Sequence, residues 1–236
     1  MVEIFSIEGN IGSGKTTLLH ELKDLKFSKP HLVIFEQVNE WSKIKDEDGK
    51  DILSLFYSDT KKYSYVFQTH VLLSRMVHLL KTMKENPDSI IICERCHLTD
   101  LYVFATSLYK QKNMNSIEWI IYQKWHDQLK EFIKIEITGY IYVKTDAKVC
   151  YERIKKRSRT GEDEIPLDYL QLLEDNHDRW LMNRPIQNED VEWFSLKRNF
   201  ITPVIVINGN VDYYDINERT KQKESIIKFV NYEITQ

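Results

Sequence analysis

The run Gly9-Asn10-Ile11-Gly12-Ser13-Gly14-Lys15-Thr16 restricts what this chain can fold into more than any other feature. Its spacing is G-x-x-x-x-G-K-[ST]. Glycines at those positions let successive backbone N–H groups turn inward around an anion. Before the run, Val2 to Ile7 (V-E-I-F-S-I) is β-branched and aromatic and reads as a strand. After it, Thr16 to Leu25 reads as a helix, whose N-terminus brings a positive dipole end to the same point. Strand, glycine turn and helix together describe a cradle for nucleotide phosphates. Lys15 supplies a point charge to the β- and γ-phosphates, and Thr16 places a hydroxyl on Mg²⁺. Residues Gly9, Asn10, Ile11, Gly12, Ser13, Gly14, Lys15, Thr16 and Thr17 are the candidates for phosphate binding.

Two other nucleotide motifs do not fit. Glu36 lies 22 residues after Gly14, where a dinucleotide fold carries a ribose-binding acid, but the glycines run GxxGxG rather than GxGxxG. The Lys-Thr pair also has no task in holding a dinucleotide. A GTPase reading lacks NKxD, and its one DxxG, Asp46 to Gly49, sits in a charged loop.

The rest of the chain alternates strand and helix signals. His31–Val38, Ser89–Cys93, Gly139–Val143 and Val204–Ile207 read as further strands. The continuous apolar runs among them suit strands buried on both faces of a parallel sheet. Apolar residues at helical spacing (Val66, Phe67, Leu73, Met76, Val77, Leu80, Met83) predict a long helix over about 59–84. Further helices are expected over 99–109, 116–133, from about 146, after Pro166 and over 217–232, and residues 42–50 read as a surface loop. No repeat or Pro/Gly-rich linker interrupts this order. It predicts one α/β domain over 1–236, a parallel sheet flanked by helices on both faces.

The formal net charge is −3, from 33 basic and 36 acidic residues, which argues against bulk affinity for a nucleic-acid polymer or a membrane. No run of about 18 apolar residues could span a bilayer. Three cysteines, Cys93, Cys96 and Cys150, give no disulfide framework. Cys93 and Cys96 form a CxxC, but a zinc site needs two more ligands at suitable spacing, so a buried strand cysteine and a loop cysteine are expected. His70, His78 and His126 have no evident partner and read as structural. The absence of a leader-like N-terminus leads to an expectation of a cytoplasmic location.

Sites in such sheets lie at the carboxyl ends of strands. Glu36 and the pair Glu94-Arg95 stand there. Strand ends often simply meet water, yet two carboxylates beside a phosphate loop suit phosphoryl transfer. That reaction needs an oriented acceptor hydroxyl, neutralised charge and a proton acceptor.

With these residues in place, the chain resembles the deoxyribonucleoside kinases, the deoxycytidine and deoxyguanosine kinases above all. The resemblance rests on G-N-I-G-S-G-K-T at 9–16, E-Q-V-N-E-W at 36–41, F-Q-T-H-V-L-L-S-R at 67–75 and C-E-R-C-H-L-T-D at 93–100. It continues through M-N-S-I-E-W-I-I-Y-Q-K-W-H-D at 114–127 and R-I-K-K-R-S-R-T-G-E-D-E-I-P-L at 153–167. It implies a P-loop kinase fold with an arginine-rich lid over about 153–165.

It further implies that Glu36 is the general base on a 5′-hydroxyl, that Arg95 holds that oxygen and the phosphoryl group, and that Glu94 supports Mg²⁺ beside Thr16. Tyr57 and Glu162 would bind the 3′-hydroxyl. Gln68, Arg75 and Asp100 would read the base edge, Phe67 and Phe104 would sandwich the base, and Trp41 would line its pocket. Arg153, Arg157 and Arg159 would clamp ATP, with Asp212 and Tyr213 at its adenine.

From the residues alone, Gln68 and Arg75 share a helix face that a solvated surface would also explain, and Phe67 and Phe104 would also suit an ordinary core. The three arginines would also suit a basic helix end.

Several positions depart from the family pattern: Gln37, Val71, Cys96, Leu98, Leu101 and G-E-D-E at 161–164. The Arg75–Asp100 pair resembles kinases of deoxycytidine or deoxypurines more than those of thymidine. ATP with Mg²⁺ and a deoxyribonucleoside are the implied ligands, and a homodimer through the helices at 59–84 and 116–133 is the implied assembly. A nucleoside monophosphate kinase on the same fold and a nucleotide-binding regulator without turnover are the alternative readings.

Overall fold

A computed structural model of the chain describes residues 2–157, 165–182, 202–212 and 214–231. The expected lid residues Arg159 and Glu162, and Tyr213, lie outside them. Among the described residues, five parallel strands form one sheet: β1 (Glu3–Glu8), β2 (His31–Ile34), β3 (Ile90–Glu94), β4 (Gly139–Lys144) and β5 (Val204–Asn208), in the order β2-β3-β1-β4-β5. β1 is central. The register pairs Ile7 with both Glu94 and Ile141, so β1 and β3 end within a residue of each other, while β4 runs on past Tyr142, the partner of Glu8, to Lys144.

The period of two along each strand divides its residues between two cores. Phe5, Ile7, Ile90 and Ile92 face one side, with Leu18, Leu19 and Leu22 of α1 (Lys15–Leu22) and with Ile226 and Phe229 further along the chain. Ile4, Ile91 and Cys93 face the other, with Phe67, Leu72, Met76 and Tyr122. Both faces are therefore covered by helices, as a parallel sheet requires.

Local signals set the helix ends. α2 (Val38–Trp41) and α3 (Ile52–Ser58) follow β2, and the Asp51 carboxylate caps α3 by accepting from Ser54 N. α4 (Thr60–Glu85) begins where Asp59 accepts from Lys62 N. α5 (His97–Thr99), a π-helical turn (Asp100–Ala105) and α6 (Thr106–Lys110) follow β3. α7 (Ser116–Ile133) opens on a reciprocal cap between Asn115 and Glu118. α8 (Ala147–Arg157), α9 (Leu167–Leu181) and α10 (Ile216–Val230) complete the order. Among the described residues, no helix is long and apolar enough to cross a membrane.

Two expectations are corrected. β2 ends at Ile34 rather than Val38, because Val38 to Trp41 turn into a helix that buries Trp41, with its indole N–H on Ser74 Oγ at 3.0 Å. The helix expected over 99–109 is broken by the π-helical turn, where the Thr106 hydroxyl donates to Leu101 O at 2.8 Å. Such turns carry an extra residue and re-aim the side chains around them. The CxxC resolves as expected: Cys93 lies in β3, Cys96 lies in the turn after it, and all three thiols are buried and unbridged.

Gly139 starts β4 where a Cβ would lie 2.9 Å from the Phe229 ring and 3.0 Å from Phe5. Gly139→Val is expected to lower the unfolding free energy by about 1–3 kcal/mol through overpacking, read as a lower urea midpoint at unchanged slope. An unchanged midpoint would mean that the two rings swing aside freely.

Candidate active site

A cavity of about 900 Å³ opens at the carboxyl end of β1, between β3 and β4. This is where the strand order switches direction, the expected ligand crevice of an open α/β sheet. The turn after β1 forms its floor. Gly12 (φ 79°) and Gly14 (φ 96°) take left-handed backbone there, and a Cβ on Gly12 would meet Cys150 O at 2.8 Å. Ile11 through Thr17 line the cavity.

Gly9 and Asn10 do not line it. They hold the turn from behind: Gly9 O accepts from Arg95 Nη1 at 2.8 Å, and Asn10 Nδ2 donates to Leu170 O at 2.8 Å. Lys15 is buried and donates to Asn10 O at 2.7 Å. Burial first, and Arg95 second, bring its ammonium down to about 8. An incoming phosphate would restore the charge that this setting weakens.

Thr16 Oγ1 donates to the two oxygens of Glu94 at 2.9 and 3.2 Å. The two expected metal residues therefore touch. A hydroxyl and a carboxylate beside a phosphate loop fit Mg²⁺, which takes one or two protein oxygens and completes its shell with water and phosphate. Among the described residues, no group of three or more His, Cys, Asp or Glu suits a metal by itself, so the phosphates would have to contribute.

Glu36 lies two residues beyond β2, where the chain has left the sheet. Its Oε1 accepts from Arg75 Nη2 at 2.9 Å and lies 3.5 Å from Arg95 Nε. Burial works to raise its pKa, but Arg95 and then Arg75 outweigh it and leave the carboxyl below its ordinary value. Lys15 also acts on Glu36 in the same direction, and both residues line the one cavity.

Arg75 comes from α4, and Asp100 opens the π-helical turn. Two parallel bonds join them, Nε to Oδ2 at 2.9 Å and Nη2 to Oδ1 at 3.2 Å. This fork is the strong form of an arginine–carboxylate pair. Burial pushes Asp100 up to about 6 against the pull of Arg75. Gln68, one helix face along from Arg75, is buried, lines the cavity and has an Oε1 without a partner. A buried amide oxygen left unpaired is costly unless a ligand satisfies it.

Arg95 adopts a left-handed backbone (φ 64°), uncommon for a residue with a side chain. A carboxylate that the sequence reading passed over supports this turn. Glu8, the last residue of β1, accepts from Ser6 Oγ and Thr99 Oγ1, both at 2.6 Å, while Thr99 Oγ1 accepts from Cys96 N at 3.1 Å. Burial raises the Glu8 pKa. An acid in a β-strand directly before the first glycine was the available signal.

The aromatic residues partly follow expectation. Trp41, Tyr57, Phe67 and Phe104 all line the cavity. Phe67 already stacks on Phe56 (4.8 Å between centroids) and meets Trp41 edge-on (5.8 Å). The Arg95 guanidinium lies 4.8 Å from the Phe104 ring centre. Phe56 was not foreseen, because the capping Asp51 and the run I-L-S-L-F-Y were not read as a helix.

At the other end of the cavity, Arg153, Arg157 and Asp212 line the wall. Arg153 faces backbone rather than open space. Nη1 donates to Gly209 O at 2.8 Å and Ser13 O at 3.4 Å, and Nη2 to Val211 O at 3.2 Å. Tyr214 and Arg219, unforeseen, also line this end.

Comparison with known proteins agrees with this geometry. The deoxynucleoside kinase family model matches residues 5–235. The chain is 35% identical over 214 residues to a probable deoxycytidine kinase of fowlpox virus (strain NVSL), covering 91% of this chain and 82% of that protein. It is 31% identical over 244 residues to deoxycytidine kinase of Homo sapiens, covering 94% and 89%. It is also 31% identical over 226 residues to mitochondrial deoxyguanosine kinase of Xenopus laevis, covering 90% and 83%. Phosphate turn, paired carboxylates, arginine–aspartate fork and matched length agree, and the chain belongs to the deoxynucleoside kinase family.

Proposed function

We propose that the protein transfers the γ-phosphoryl group of ATP to the 5′-hydroxyl of a deoxyribonucleoside, yielding the 5′-monophosphate for nucleotide salvage. The observation that carries this reading is the Glu36 carboxylate, held by Arg75 at 2.9 Å and Arg95 at 3.5 Å in the same cavity as Lys15. A carboxylate kept ionised opposite a phosphate cradle suits a primary alcohol. It gives no purchase to an acceptor that is already a phosphate, which speaks against a monophosphate kinase.

The backbone N–H groups of residues 11–16 and Lys15 hold the donor phosphates. Arg95 faces both Glu36 and the turn, placed to meet the acceptor oxygen and the group in transfer. As the new O–P bond forms and the β–γ bridge breaks, the 5′-hydroxyl proton passes to Glu36. A weak base is enough because the transition state is loose and the proton leaves late. Mg²⁺ held by Thr16 and Glu94 would neutralise charge on the phosphates. Arg157 extends the donor wall, and Arg153 steadies the loop of Asp212 against the turn. Gln68, Arg75 and Asp100 read the base, Phe67 and Phe104 pack on it, Trp41 lines its pocket, and Tyr57 meets the 3′-hydroxyl.

The relatives named for deoxycytidine and deoxyguanosine support an amino-bearing base over thymidine, as does the Arg75–Asp100 pair. Free buried thiols suit a reducing, cytoplasmic setting.

A homodimer would cover apolar surface that is otherwise costly. Val66 and Val77 of α4 are 53% and 59% exposed, and Ile117 and Ile120 of α7 are 68% and 51% exposed. Size and light scattering should give twice the 28.3 kDa chain mass for the wild type, and Ile120→Lys should return it to the chain mass. A wild-type monomer would remove the dimer.

Three kinetic outcomes follow. With four deoxynucleosides and their monophosphates as acceptors and ATP–Mg²⁺ as donor, a deoxycytidine or deoxypurine nucleoside should give the highest kcat/KM. Thymidine or a monophosphate in first place would overturn the assignment. Glu36→Gln should lower kcat on the order of 10²-fold or more, and near-normal turnover would remove Glu36 as base. Asp100 is held up to about 6 by burial, so its charge, and with it the fork to Arg75, is lost as pH falls through that value. The nucleoside kcat/KM should therefore fall with a midpoint near 6. A midpoint at the ordinary carboxylate value of about 4 would remove Asp100 from base binding.

A further inference from the structure

A guanidinium carries five N–H donors, one on Nε and two on each Nη. In Arg75, Nε donates to Asp100, Nη1 to Glu94 O at 2.8 Å, and Nη2 to both Asp100 and Glu36. One N–H, on Nη1, is left. A nucleobase edge that accepts from Arg75 must take that one or displace a present acceptor.

The acceptors are not equally held. Asp100 is bound by two parallel bonds, and its side chain is 2% exposed. The Glu94 carbonyl is fixed in β3. Glu36 has one bond to Arg75, on a side chain 23% exposed in a segment beyond the strand end. Of the three acceptors, Glu36 is the one least firmly held.

We propose that the nucleobase competes with Glu36 for the Nη2 donor of Arg75, so that recognising the base frees the carboxylate to turn to the 5′-hydroxyl. Arg75 is then a positioning residue as well as a base reader, and it couples the choice of substrate to the readiness of the base. The freed carboxylate still faces Arg95 Nε, 3.5 Å away in the present arrangement, and therefore stays ionised. This rests on the kinase reading above and adds to it. An ill-matched base is penalised in the chemical step and not only in binding.

The test compares the best natural nucleoside from the substrate panel with a deoxyriboside carrying a flat aromatic ring of similar size and no hydrogen-bonding atoms. Kinetics at saturation separate binding from catalysis. For the wild type, kcat for the ring analogue should be lower by about tenfold or more, beyond any rise in KM.

Arg75→Lys keeps a positive charge beside Asp100, but a single ammonium cannot span both carboxylates as the fork does. In that variant the two kcat values should converge to within about twofold. A role in packing alone would lower both rates together. A wild-type difference confined to KM, or an unchanged kcat ratio in the variant, overturns the coupling while leaving the kinase reading intact. Absence of turnover with every nucleoside overturns the kinase reading itself and the coupling with it. A wild-type difference confined to KM overturns the coupling even if the variant does not fold.

Discussion

Apolar residues on both faces of β1 force it into the centre of the sheet, and the rest of the site is measured from where that strand ends. Ile4 and Phe5 are 1% exposed and face opposite cores. A strand buried in this way has to be flanked by two others, and here they are β3 and β4. The glycine turn leaves the sheet at the point where the strand order reverses. Glu94 and Arg95 reach the same level because β3 runs in register with β1. The anion cradle and its charged partners are thus brought together by hydrophobic burial, a force with no direction of its own.

What burial brings together, electrostatics must then make tolerable. Glu8, Lys15, Glu36, Arg75, Glu94, Arg95 and Asp100 crowd one end of one sheet. Isolated charges there would be neutralised or expelled. They persist because each has partners: Glu8 has Ser6 and Thr99, Asp100 has the Arg75 fork, and Glu36 has two guanidiniums. Burial still outweighs those partners at Lys15, whose pKa is lowered, and at Asp100, whose pKa is raised. Groups left unsettled by burial are the ones a charged, hydrogen-bonding ligand can stabilise.

Much of this arrangement was legible in the residues. The alternation of apolar runs gave the parallel sheet, and the glycine spacing located the phosphate end. The paired acids at strand ends marked the acceptor side. What escaped had physical causes. β2 was read too long because Phe35 and Val38 carry strand-like side chains, whereas 35–37 leave the sheet and Val38 opens the helix that buries Trp41. The π-helical turn after β3 has no periodicity of its own over so few residues. The tie between Arg75 and Glu36 joins positions 39 apart, and no spacing rule reaches that far. Family resemblance named both residues without the bond between them.

The three bonds of Arg153 have a mechanical implication. Its guanidinium fastens α8 to the glycine turn at Ser13 and to the loop after β5 at Gly209 and Val211. These three pieces are stitched at one point and must travel as a unit. A hinge cannot sit within the first two turns of α8 without tearing that stitch. A swing of α8 over the cavity has to pivot after Arg153, which leaves the far end of that helix to do the reaching.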